Sequence, residues 1–270
     1  MDRFIIYALL ATLGTWWITA LGAATVVFFS TPSPSMLNLM LGFSSGVMMA
    51  ASYWSLLDPA IARATQAHLS GNGLPAYVVA TLGFLAGALF LWVSDQVVSY
   101  AKKNTRPSSS PKGSGNRIWM LLLSITLHNI PEGLAVGVAF GLLGSGAYTP
   151  EALMGAITIA VGIGLQNFPE GAAVSLPLRR EGYSRRQAFF LGQASGMVEP
   201  AAGVLGAILV VYMEAILPYA LSFAAGAMIL VAVHELIPEC QQERQEQPYV
   251  ATMGIIAGFA VMMLLDVMLG

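Results

Sequence analysis

Charge is scarce in this sequence: Asp, Glu, Lys and Arg make up 10% of 270 residues and nearly cancel, leaving a net charge of −2. With 56% hydrophobic side chains and a mean hydropathy of +0.71, too few polar groups remain to cover a water-soluble domain of this size. Cysteine is almost absent. One residue, Cys240, excludes an intrachain disulfide and reads as a small, inert side chain. The near-neutral balance identifies no partner by charge, and no nucleic-acid partner is expected. What the chain does have is long apolar runs, so it reads as an all-α integral membrane protein.

A membrane helix needs about 20 apolar residues. Eight stretches qualify: Phe4–Phe29, Met36–Leu57, Leu74–Ser94, Ile118–Leu143, Ala152–Leu178, Ala188–Met213, Tyr219–Ile237 and Tyr249–Leu269. The first has no small-residue cleavage site leading into a soluble chain, so it is expected to remain as a helix. Lys and Arg cluster in alternate loops: Lys102, Lys103, Arg106, Lys112, Arg117, Arg179, Arg180, Arg185, Arg186 and Arg244 on one side, Arg3 and Arg63 on the other. Basic loops stay in the cytoplasm, which places both termini outside it. Residues 1–270 are then expected to form a single transmembrane domain. It is interrupted only by residues 101–117, a Ser/Pro/Gly-rich basic stretch expected to be a disordered cytoplasmic loop beside the lipid headgroups.

Two internal matches suggest an inverted repeat. "HNIPEG" from His128 in the fourth span returns as "QNFPEG" from Gln166 in the fifth. "FSSGVMM" from Phe43 in the second span has a weaker echo in "FAAGAMI" from Phe223 in the seventh. Spans 1–3 would match spans 6–8, with spans 4 and 5 exchanging. Repeats of this kind place substrate sites near the bilayer midplane.

Charge inside such spans is expensive and needs an explanation. On a helix, His128 and Glu132 share a face, with Asn129 beside them, and Gln166, Asn167 and Glu170 repeat that arrangement. Pro131 and Pro169 each remove an N–H, which predicts a break in both helices, and Gly133 and Gly171 permit close helix contact there. No span carries Lys or Arg, so Glu132 and Glu170 brought together would repel. A divalent cation accounts for the whole set. Imidazole with carboxylates suits Zn²⁺, and two bridging carboxylates have room for two ions, with Glu199 of "GMVEP" supplying a further ligand. His234 and Glu235, near the inner end of the seventh span, read as an exit or regulatory site or as a pH-sensitive or interfacial pair. Met48 reads as packing or as a thioether ligand for a softer metal. His68 reads as a surface residue.

"HNIPEG", "QNFPEG", "GMVEP" and "HELIPE" together resemble the ZIP (Zrt/Irt-like) metal transporters, in particular their prokaryotic GufA-like branch. The resemblance extends over nearly the whole chain. It implies a homodimeric, multi-pass transporter in the bacterial plasma (inner) membrane, moving Zn²⁺ into the cytoplasm, with Cd²⁺, Fe²⁺, Mn²⁺ and Co²⁺ as further candidate cargo. One ion would be held by His128, Glu132, Gln166 and Glu170, with Met48 as an additional ligand. A second would be held by Asn129, Glu132, Asn167, Glu170 and Glu199, and His234 with Glu235 would stand at the exit. Two departures bear on this set: many members have His where this chain has Gln166, and some close relatives have Asp in place of Asn167, so the second position is weakened. The expected function is therefore transport by alternating exposure, not catalysis. The rivals are an intramembrane metal-dependent hydrolase, for which no H-E-x-x-H motif occurs, and an exporter using the same site.

Overall fold

The structure is a computed structural model that describes residues 2–28, 33–104, 114–144, 148–180, 182–212, 214–241 and 249–269. Among them the regular elements are all helical. They are α1 (Asp2–Phe28), α2 (Pro34–Ala51), α3 (Asp58–Leu69), α4 (Ala76–Asn104), α5 (Ser114–Leu142), α6 (Pro150–Arg180), α7 (Arg185–Ala194), α8 (Val198–Tyr212), α9 (Leu217–Val231), α10 (Ile237–Cys240) and α11 (Val250–Leu269). Short π-helical turns join α2 to α3 (Ser52–Leu57) and α9 to α10 (Ala232–Leu236), and a 3₁₀ turn joins α7 to α8 (Ser195–Met197). Among the described residues, seven of the resulting rods are long and apolar enough to cross a membrane, and α5 contributes a shorter apolar stretch, Asn129–Leu142. The chain is a multi-pass membrane protein. Its outward faces carry large apolar side chains such as Leu10, Trp17, Leu85, Leu89, Ile256 and Leu264, as lipid contact requires.

Local sequence explains where the rods start and bend. Ser33 caps α2 by accepting from the Met36 N–H at 3.2 Å, and Pro34 follows at the first position, where its missing N–H is no loss. Ser184 and Gln187 form a capping box at α7. The second rod does not end at Leu57 as the apolar run suggests. It continues through α3 because Pro59 falls in the first turn of the new helix, and the π turn before it absorbs the ring's clash with the preceding turn. Pro238 stands in the same relation to the second π turn. The loop predicted over 101–117 falls chiefly on 105–113, outside the described residues, while α4 and α5 reach into its two ends.

Packing reveals the repeat more clearly than the letters do. The best-packed helix pairs are α2 with α11, α4 with α9, α1 with α6 and α5 with α8. Gly46 of α2 lies against the Ile255 carbonyl of α11 and Gly258 against that of Phe43, whereas Gly226 of α9 lies against the Phe84 carbonyl of α4 and Gly87 against that of Phe223. Shifting α2 by 180 residues (46 to 226, 43 to 223) and α4 by 171 (84 to 255, 87 to 258) converts one pair into the other. The two copies run in opposite directions. Leu41, near the start of α2, clusters with Cys240 beyond the end of α9, and a pocket joins α3 to Leu217–Tyr219 at the start of α9. These close, glycine-mediated approaches are how helices associate where no water drives them together.

Candidate metal centre

The polar core lies where α5, α6, α8 and α1 meet. Gly133 of α5 sits against the backbone at Glu199 of α8, and Gly171 of α6 sits against the Thr19 carbonyl of α1. These contacts draw in the residues one turn away. Asn129, Glu132, Gln166, Asn167 and Glu199 are all at most 1% exposed, and Glu170 is half-buried. Five polar side chains buried in so apolar a bundle must find partners or a ligand.

Gln166 Nε2 donates to Glu132 Oε1 at 2.6 Å. Asn167 Nδ2 donates to both oxygens of Glu199, at 2.9 and 3.0 Å. The Thr15 hydroxyl donates to Glu199 Oε2, and that of Thr19 reaches Oε1 at 3.5 Å. Ser44 of α2 donates to Glu170 Oε1 at 3.0 Å, which ties the cluster to a second group of helices. Among the described residues, four buried oxygens of this core have no donor: Asn129 Oδ1, Glu132 Oε2, Gln166 Oε1 and Asn167 Oδ1. Glu132 stands in the electrostatic field of both Glu170 and Glu199, and no Lys or Arg occurs in any of the predicted spans to offset them. Acceptors without donors beside mutually repelling carboxylates give this core the chemistry of a site for a hard or borderline divalent cation.

The structure places the remaining predicted residues as follows. Met48 is fully buried on α2, one turn along the face that carries Ser44. His128 belongs to α5, but its side chain lies outside the described residues. Among the described residues, no three His, Cys, Asp or Glu side chains group as a metal cage, so the donor set there is one of carboxylates mixed with amide oxygens. His234 and Glu235 fall on the π turn after α9, in a separate small pocket against Leu91, Trp92 and Asp95 of α4. His68 is exposed and Cys240 is buried. The predicted breaks at Pro131 and Pro169 do not occur: α5 and α6 run unbroken through both. One missing rung is tolerated when the flanking rungs and close packing at Gly133 and Gly171 hold the rod.

Sequence reasoning missed Thr15, Thr19, Ser44 and the Ser55–Asp266 hydrogen bond, 2.6 Å long, between the first π turn and α11. A signal for the first two was present. Thr12, Thr15 and Thr19 form a helical stripe in an otherwise apolar segment, and all three are buried.

A family model described as "ZIP Zinc transporter" matches residues 2–117 and 106–266. The chain is similar over 98% of its length to the zinc transporter ZIP11 of Xenopus tropicalis, 41% identical and covering 98% of that protein. It is 36% identical to the zinc transporter GufA of Myxococcus xanthus, over 97% of this chain and 98% of the other. The zinc transporter ZIPB of Bordetella bronchiseptica is likewise 36% identical, over 98% of this chain and 82% of its own length.

Proposed function

Because the chain belongs to the ZIP family of zinc transporters, we propose that it carries Zn²⁺ across its membrane through the polar core between α5, α6 and α8. Family membership makes it a transporter rather than an enzyme and sets the hydrolase reading aside. The observation that carries the site assignment is the set of four buried oxygens without donors, contributed by Asn129, Glu132, Gln166 and Asn167. A cation that has shed its water needs such oxygens, and buried acceptors need such a cation. In this reading Glu132 and Glu170 neutralise the ion, the Asn129 and Gln166 amides complete its shell, and His128 supplies the nitrogen that favours zinc. Met48, on the face of α2 that carries Ser44, would add a thioether ligand. His234 and Glu235, with Asp95 beside them, form a later station toward the cytoplasm.

The basic loops set the orientation, and inward transport into the cytoplasm is proposed from the family alone. The family implies a division into two bodies: α1, α5, α6 and α8 hold the ion, and α2, α4, α9 and α11 form the frame, with each of the best-packed pairs inside one body. Displacement of one against the other would expose the site alternately, with the Ser44–Glu170 bond crossing the boundary. Cd²⁺, Fe²⁺, Mn²⁺ and Co²⁺ present similar demands and would compete. A homodimer is proposed from the family alone.

The test is zinc uptake into proteoliposomes loaded with a zinc-sensitive dye. Saturable influx in the wild type that is lost in the Glu132→Ala, Glu170→Ala double variant supports the reading. Stoichiometric zinc binding with no movement of the ion overturns it, and zinc-driven efflux alone reverses the direction.

A further inference from the structure

Glu199 differs from Glu132 in that donors of the protein meet both of its oxygens. An ionised carboxylate offers about four lone-pair positions on its two oxygens. Asn167 Nδ2 lies 2.9 and 3.0 Å from Oε1 and Oε2, Thr15 donates to Oε2, and Thr19 approaches Oε1. The near-equal Asn167 distances matter most. A group equidistant from both oxygens stands on the chelating face, where a cation bound by both oxygens would sit about 2.0–2.2 Å from each. Turning the Asn167 amide over would set its carbonyl oxygen against two carboxylate oxygens, so the donors fix its orientation. Among the described residues, neither oxygen of Glu199 is a buried acceptor lacking a donor, whereas Glu132, Asn129, Gln166 and Asn167 each leave one oxygen without a donor.

We propose that the core holds one divalent cation at a time, with the Asn167 amide and the Thr15 and Thr19 hydroxyls occupying the positions on Glu199 that a second cation would need. Glu199 is then a positioning residue. Through these bonds it locks α1, α6 and α8 together and fixes Asn167 so that Oδ1 faces the ion. The inference rests on the metal-site reading above and narrows it.

The measurement is zinc bound per chain at saturation on the purified, detergent-solubilised protein, compared with the Glu132→Gln, Glu170→Gln double variant, so that ions at His234 and Glu235 cancel. X-ray absorption of the wild-type zinc complex accompanies it. The expected difference is one ion, with no zinc–zinc vector at about 3.5–4 Å, the separation of a two-metal site. Asn167→Asp removes the donor and adds a ligand, and it should raise the difference to two and bring the vector in. A wild-type difference of two, or a zinc–zinc vector, overturns the one-ion proposal while leaving the metal site standing. A difference of zero overturns the metal site itself. Asn167→Asp remaining at one refutes Asn167 as the blocking group, and if that variant misfolds, the wild-type count alone decides.

Discussion

Glu132→Gln should make the protein more stable and less able to bind zinc, and the opposite signs are the test. The substitution keeps the shape and leaves an oxygen to accept from Gln166 Nε2, now 2.6 Å from Glu132 Oε1. It removes a carboxyl group that burial and the fields of Glu170 and Glu199 oblige either to bear their repulsion or to hold a proton. Two unit charges about 4 Å apart at an effective dielectric near 20 interact by roughly 4 kcal/mol, so relief of repulsion on the order of 1–3 kcal/mol is available without metal. With metal the same charge is a ligand, and its loss should weaken zinc by about 10²–10³-fold, from similar Coulomb arithmetic at contact distance. At a zinc concentration of about 100 times the wild-type Kd, binding stabilises the wild type by about 2.7 kcal/mol, and a 100-fold weaker variant by about 0.4 kcal/mol. The assay is thermal unfolding in detergent followed by tryptophan fluorescence, with chelator and with zinc. The variant should melt several degrees higher than wild type in chelator and lose nearly all of the zinc-induced rise. A variant that melts lower in chelator yet keeps the zinc shift would refute both the electrostatic account and the ligand assignment.

Three further outcomes follow from particular contacts. Gly171→Ala drives a methyl group into the Thr19 carbonyl, so α1 and α6 must separate; overpacking of this kind costs about 1–3 kcal/mol, read as a lower melting temperature and a smaller monodisperse fraction, and an unchanged Tm would contradict the close approach. Ser44→Ala removes the hydroxyl that donates to Glu170 at 3.0 Å, a charged hydrogen bond worth about 1 kcal/mol at a half-buried site; the zinc KM should change about 3–10-fold in proteoliposome uptake, while Ser44→Thr retains most of the wild-type value. In a Cys240→Ala background, a membrane-impermeant maleimide should label Ser70→Cys in intact cells and Arg185→Cys only after lysis, and the reverse pattern would invert the orientation drawn from the basic loops.

Spacing made the centre of the site legible, and chain order hid its surroundings. His128, Asn129 and Glu132 at i, i+1 and i+4, echoed at Gln166, Asn167 and Glu170, identified the two helices and the face they share, because helical periodicity survives in any apolar segment. The threonines of α1 were harder to read, since Thr in a membrane helix usually bonds back to its own turn. Thr12 does so here, to Ala8 O, and Thr15 and Thr19 each have a carbonyl of their own turn within reach, at Thr12 and Thr15; only tertiary packing brings Thr15 and Thr19 to Glu199. Proline misled for a related reason. At Pro131 and Pro169 the missing N–H promised a break, but the visible irregularities fall instead at Ser52–Leu57 and Ala232–Leu236, where a proline comes just after the turn. A lost hydrogen bond does not specify where a rod will deform; the neighbouring packing decides.

The repeat and its violations divide the work between them. Positions that only pack are kept alike in the two copies: Gly46 matches Gly226, Phe43 matches Phe223, and Gly133 matches Gly171 after a shift of 38 residues. Positions that carry chemistry diverge under the same shifts. His128 corresponds to Gln166 and Thr19 to Glu199, while on the π turns Trp54 and Ser55 correspond to His234 and Glu235. Asp266, which accepts from Ser55, corresponds to Asp95, which shares the pocket of His234 and Glu235. Each end of the bundle therefore sets an acid against a π turn, with a neutral hydroxyl as its partner at one end and an imidazole and a second carboxylate at the other. Two identical halves would offer an ion the same free energy from either side. The chain keeps the glycine contacts and changes the polar residues, so under the proposed transport reading a symmetric frame would present a cation with unequal affinity at its two openings.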